Sequence, residues 1–146
     1  MTRTHGVTSL MWVAIAIGIA VWTLAQTALV WAGGYVLLCV AGAVVIIYAY
    51  CAKCPCKACC AHVLPGKVAA RVSRVPAPYS DAEQAVVVVA LLLILGLPQL
   101  WIWQRLAAGV GFWGLNGVAI LQILGVICTT CPNTYCPIGK ARRRLG

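Results

Sequence analysis

Acidic residues are almost missing: Asp81 and Glu83 are the only two in a chain of 146 residues. Charge of either sign is scarce, at 9% of residues. A soluble domain carries about 25%, because its surface must face water. This composition excludes a soluble globular domain. With no carboxylate inside the apolar runs, a proton relay or ion-coupled transport cycle lacks its usual groups. Histidine is equally scarce, and neither His5 nor His62 lies deep in an apolar run. Bis-histidine haem within a membrane is therefore excluded. Long repeats and low-complexity tracts are also missing.

Apolar residues fill the space instead, at 63% of the chain. No Asp, Glu, Lys or Arg occurs between Arg3 and Lys53, between Glu83 and Arg105, or between Arg105 and Lys140. A spanning helix needs roughly 20 apolar residues. The first run fits two helices, reversing near Gln26–Thr27 or at Gly33–Gly34, and each later run fits one. The expected fold is an all-α integral membrane protein, a four-helix transmembrane bundle forming a single domain. Its helices fall at about 8–27, 30–50, 84–104 and 111–130, joined by a cysteine-rich loop at 51–80 and ending in a basic tail at 131–146. Arg3 ahead of an apolar stretch, with Thr23-Leu24-Ala25 further on, has the outline of a signal peptide. The segment is read as the first helix.

The basic residues orient these spans. Arg3, the loop (Lys53, Lys57, Lys67, Arg71, Arg74) and the tail (Lys140, Arg142, Arg143, Arg144) lie on one side of a four-span chain, leaving Arg105 alone on the other. The positive-inside bias makes that side cytoplasmic, giving a multi-pass plasma (inner) membrane protein with both termini inside. Trp101, Trp103, Phe112 and Trp113 bracket the turn on the outer side, and Tyr48 and Tyr50 mark the inner end of the second helix. In the loop, Lys67, Arg71 and Arg74 recur at helical spacing with Val68, Val72 and Val75 on another face, a pattern that suits anionic headgroups. A solvated basic loop reads the same way. No nucleic-acid partner is expected.

Ser80 and Glu83 have capping-box spacing at the start of the third helix. Pro98 is expected to kink the outer half of that helix. Gly111, Gly114 and Gly117 read as a close-packing face. Gln99, Gln104, Asn116 and Gln122 read as interhelical glue.

Nine cysteines complete the picture, and eight form two sets. Cys51, Cys54, Cys56, Cys59 and Cys60 follow the second helix; Cys128, Cys131 and Cys136 close the fourth. Those two helices run the same way, so both sets fall at one depth on the cytoplasmic side. Thiols there stay reduced, so the sets read as metal-binding or redox-active. Eight thiolates suffice for two 4Fe-4S clusters, or one cluster plus a zinc; Cys51, Cys54, Cys128 and Cys131 alone would make a zinc clip. Proline follows Cys54, Cys131 and Cys136, as it follows the last ligand of bacterial ferredoxin motifs. Lys53, Lys57 and Lys140 would offset the cluster's negative charge, and His62 is a possible further ligand.

The stretch Tyr135–Arg143, YCPIGKARR, resembles the Cys-Pro-x-Gly segments of polytopic membrane ferredoxins. That resemblance implies an iron–sulfur electron-transfer subunit of a larger oxidoreductase complex. Such a subunit would link a cytoplasmic redox partner to the quinone pool, with Tyr48, Tyr50, Gln122 and Tyr135 near the quinone. Three alternatives stay open. One is a zinc-clipped membrane anchor. Another is a quinone-linked thiol–disulfide oxidoreductase similar to the vitamin K epoxide reductase group, with Cys128 and Cys131 reactive and Cys51 and Cys54 relaying. The third is a soft-metal carrier similar to the small mercuric-ion transport proteins.

Overall fold

The computed structural model describes residues 2–55, 63–72, 74–131, 133, 135 and 136. These are helical, with no strand among them. In chain order the helices are α1 (Thr2–Ala25), α2 (Leu29–Ala49), a short α3 (Val63–Ala70), α4 (Asp81–Gly96), a one-turn α5 (Gln99–Ile102), α6 (Leu106–Gln122) and a terminal turn α7 (Cys128–Thr130). A 3-10 turn over Cys51–Lys53 follows α2, and a π-turn over Ile123–Ile127 separates α6 from α7. Four continuous stretches are long and apolar enough to cross a membrane: Arg3–Ala25, Leu29–Lys53, Asp81–Ile102 and Leu106–Thr130. The chain is a multi-pass membrane protein.

α1 packs against both α6 and α2, and α2 packs against α4, while α4 and α6 share no comparable interface. Across the molecule the order is therefore α6, α1, α2, α4. Ala16 and Ala20, one turn apart on α1, bring the backbones close and form the core with Leu24, Tyr35, Ile102 and Phe112. Leu37, Leu92 and Leu121 remain exposed. Lipid tails are as apolar as leucine, so this costs nothing in a bilayer.

The first reversal uses Gln26–Ala28, where the Thr27 and Ala28 amides both reach Leu24 O at 3.0 Å. Gly33 and Gly34 lie inside α2. α1 starts at Thr2 and α6 at Leu106, both earlier than the expected 8 and 111. An apolar window measures the hydrocarbon crossing, whereas a hydrogen-bonded helix continues into polar surroundings. At the second reversal, the Gln104 and Arg105 amides reach Trp101 O and Ile102 O, each at 3.1 Å.

The capping box of α4 forms as expected. The Glu83 amide reaches Ser80 Oγ at 3.3 Å, and the Ser80 amide reaches Glu83 Oε2 at 2.9 Å. Pro98 divides the third span into α4 and α5. It has no N–H to give the carbonyl four residues earlier, that of Ile94. The Tyr35 hydroxyl of α2 donates to Ile94 O instead, at 2.9 Å. Tyr35→Phe is expected to destabilise the fold by about 1 kcal/mol, as losing a membrane hydrogen bond does. Pro98→Ala, which restores an amide for Ile94, should shrink that loss. Equal losses in both backgrounds, measured by unfolding in detergent, would reject this account.

The glycine stripe departs from expectation. A Cβ at Gly111 would meet Ile19 at 3.5 Å, but at Gly114 or Gly117 it would meet nothing within 4 Å. The close approaches are at Gly109 of α6, where a Cβ would stand 2.6 Å from Trp103 Cε3, and at Gly42 of α2, where it would stand 2.7 Å from Ile94 Cδ1. At the tryptophan end, Trp31 and Trp101 sit 5.2 Å apart, Arg105 lies over Trp22 at 4.9 Å, and the Trp103 and Trp113 indoles both donate to Gln99 Oε1. Phe112, placed by its sequence neighbours among these aromatics, is fully buried in the core. Gln99 and Gln122 do join separate helices, Gln122 Oε1 accepting from Thr8 Oγ1 of α1 at 3.4 Å. Asn116 instead donates to Phe112 O of its own helix.

Candidate metal centre

Cys51 and Cys54 stand at the two ends of the 3-10 turn after α2, with the Cys54 amide donating to Cys51 O at 3.2 Å. Two intervening residues thus turn the chain back between the two thiols. At the end of the fourth span the π-turn inserts one extra residue. The Cys128 amide reaches back five residues to Ile123 O. Thr129 Oγ1 donates to Gly125 O and Val126 O, and Thr130 Oγ1 to Val126 O and Ile127 O. The hydroxyls thereby donate to carbonyls that the widened turn leaves short of amides.

At Cys131 the backbone leaves the helix in an extended conformation, and Asn133 beyond it meets residues just past α2 and just before α4. Asn133 is buried there. Its Nδ2 donates to Cys54 Sγ at 3.5 Å and to the Tyr79 hydroxyl at 3.0 Å, while its Oδ1 accepts from the Tyr135 amide at 2.9 Å. The Tyr79 hydroxyl donates in turn to Tyr50 O at 3.3 Å, and the two tyrosine rings stack at 4.3 Å. One amide side chain therefore ties the second cysteine segment to the first.

Burial pushes the Tyr79 hydroxyl well above the ordinary phenol range. The Asn133 hydrogen bond opposes this, and negative charge on Cys54, Cys136 and Cys51 acts with burial. Tyr79 consequently stays protonated and remains a donor. Thiols from both motifs lie within electrostatic reach of this one hydroxyl.

A second hub adjoins it. Glu83 pairs with Lys53 Nζ at 2.7 Å and with Arg74 Nη2 at 3.1 Å, while capping α4. Arg74 Nη1 donates to Tyr48 O at 3.2 Å, and its guanidinium covers the Tyr48 ring at 4.6 Å. Lys53, expected to offset cluster charge, is thus engaged with Glu83.

Cys51, Cys54, Cys128, Cys131 and Cys136 are all half-buried, and no disulfide joins any two of the described cysteines. Among the described residues, no group of three or more His, Cys, Asp or Glu side chains is gathered closely enough to hold one metal ion. Cys56, Cys59, Cys60 and His62, with Lys57 and Lys140, lie outside the described residues. A full ligand set would have to draw on them. Of the residues expected near a quinone, Tyr50 and Tyr135 join the Asn133 hub, Tyr48 belongs to the Arg74 hub, and Gln122 contacts α1.

Sequence reasoning missed Tyr79, Asn133 and the second role of Glu83. For Glu83 the signal was present: one of only two acids, close in sequence to a basic loop, must attract cations. Tyr79 and Asn133 gave no comparable signal.

These features define a helical multi-pass membrane protein with two cysteine segments held together at one end of its spans. No family model, curated protein or solved structure matches the chain.

Proposed function

We propose that the chain is a membrane-embedded metal–thiolate protein whose iron–sulfur centre carries electrons between a redox partner and the quinone pool. The observation that supports this reading is the Asn133 amide donating to Cys54 Sγ across the two cysteine segments. Hydrogen bonds to ligand sulfurs are a principal means of setting a cluster's potential, and they also orient the ligands. A cluster supplies reversible one-electron chemistry when bound. The chain's own part is to position Cys51 and Cys54 in one tight turn, to bring Cys131 and Cys136 alongside through Asn133, and to keep Tyr79 a neutral donor. Cys56, Cys59 and Cys60 complete the ligand set in this proposal. A catalytic partner in a larger oxidoreductase complex belongs to the proposal. The thiol end faces the cytoplasm of a plasma membrane, as the distribution of Lys and Arg suggests.

The test is iron, zinc and acid-labile sulfide analysis of anaerobically purified protein, with EPR after reduction, paired with thiol labelling of intact cells. Iron and sulfide in comparable amounts, a reduced-state signal, and no labelling by an impermeant reagent from outside are expected. Zinc without sulfide would replace this reading with a structural clip. Rapid alkylation of Cys128 and Cys131 in iron-free native protein would replace it with thiol–disulfide exchange, because a ligated thiolate is not free to attack.

A further inference from the structure

The short helix α3 is docked by its smallest residues. Gly66 and Ala69 are buried, and Ala69, like Ala52 of the 3-10 turn, has no exposed surface. α3 packs on that turn, on α2 and on α1. Bonds from the Arg71 and Val72 amides to Val68 O and Ala69 O, each 3.1 Å, carry the coil a little past Ala70. Each residue step turns a helix by about 100°, so Leu64, Lys67, Val68 and Arg71 share one sector, opposite Gly66 and Ala69. All four are exposed, Leu64 to 70%.

Two of these side chains are apolar and two are cationic, and the cations meet no carboxylate side chain. The sequence has only Asp81 and Glu83 to offer. Glu83 is taken by Lys53 and Arg74, and among the described residues Asp81 forms no ion pair. The segments outside the described residues hold no Asp or Glu, so they supply none. The depth of the face is set as well, because the 3-10 turn under α3 closes the membrane-crossing stretch Leu29–Lys53. α3 therefore sits where hydrocarbon gives way to headgroups. At that level apolar side chains enter the acyl boundary, while lysine and arginine lay their aliphatic stems along it and extend their charge to phosphates. Turned to bulk water, the same face would leave Leu64 and Val68 hydrated.

We infer that the outer face of α3 binds anionic phospholipid headgroups of the bilayer that the chain spans, with Lys67 and Arg71 at the phosphates and Leu64 and Val68 in the acyl boundary. A zwitterionic lipid offers the same acyl boundary without net charge, so the basic pair makes the face selective. The inference stands whatever the thiols hold.

Hydrogen–deuterium exchange of the whole chain in nanodiscs tests the assignment, using phosphatidylglycerol or phosphatidylcholine of identical acyl chains. Amides of residues 64–72 should exchange more slowly in phosphatidylglycerol by roughly fivefold or more, the worth of about one basic residue near an anionic surface. Amides of the Gln104–Arg105 turn, at the other end of the spans, should exchange alike in both lipids and serve as the control. Lys67→Gln combined with Arg71→Gln should erase the difference at 64–72, and Lys67→Arg combined with Arg71→Lys should keep it. Leu64→Gln should speed exchange in both lipids and leave their ratio in place. Equal exchange of 64–72 in the two lipids by the unaltered protein would overturn the inference, in favour of an acidic protein partner for this face. So would a lipid difference that survives the double glutamine change.

Discussion

Replacing Cys54 by serine is expected to strip metal from both cysteine segments at once. Cys54 Sγ is the atom to which the second segment is tied, through Asn133, and Cys51, Cys54 and Cys136 all lie within electrostatic reach of Tyr79. A serine hydroxyl is a hard, neutral group and a poor substitute for a thiolate on a soft metal. Losing a mere supporting hydrogen bond at a metal site costs about 10- to 100-fold in affinity, and losing a ligand costs at least that. Iron per chain should therefore fall at least tenfold or so by the same measure. Cys39→Ser, inside α2 and away from both segments, should retain its iron. A Cys54→Ser protein that keeps about half its iron would mean two separate sites and would end the shared-centre model.

Removing the Glu83 carboxylate is expected to be the most damaging single change on the surface of the thiol end. Few surface residues hold so many partners: Lys53, Arg74 and both the amide and hydroxyl of Ser80. Glu83→Ala would leave two cations facing each other and open the N-terminus of α4. A fall of several degrees in the thermal midpoint in detergent should follow. Glu83→Gln, which keeps the capping hydrogen bonds and loses the ion pairs, should fall between Glu83→Ala and the parent. Asp81→Ala makes the informative comparison, because Asp81 occupies the same first turn without these pairings. Equal midpoints for the two alanine variants would refute the hub.

Four spans were legible in the sequence because hydrocarbon thickness imposes a length that composition cannot hide. The Ser80–Glu83 box was legible for a similar reason, since it is a local rule satisfied within four residues. What pairs with what was not. Tyr35 meets Ile94, and Asn133 meets Cys54, across long stretches of chain, and neither pairing has a local signature. Phe112 shows the limit of proximity in sequence: it adjoins Trp113 yet points into the core, because one residue step on a helix turns a side chain by about 100°. The same reasoning explains the glycines. A spacing of three drifts around a helix of 3.6 residues per turn, so Gly111 faces α1 and the next two do not.

The π-turn at Ile123–Ile127 carries a consequence of another kind. One surplus residue advances everything after it by about 100° relative to an unbroken helix. The pattern that seats α6 against α1 and the pattern that aims Cys128, Cys131 and Asn133 are consequently out of phase, and each is set on its own side of the turn. The fourth span behaves as two rods keyed together at a chosen angle, one indexed to its neighbour and the other to the thiols. A one-residue deletion within 123–127 would leave the first rod seated while rotating the second away from Cys54. An insertion of one residue is the smallest change in a gene that can retarget a set of side chains without repacking the helix that bears them.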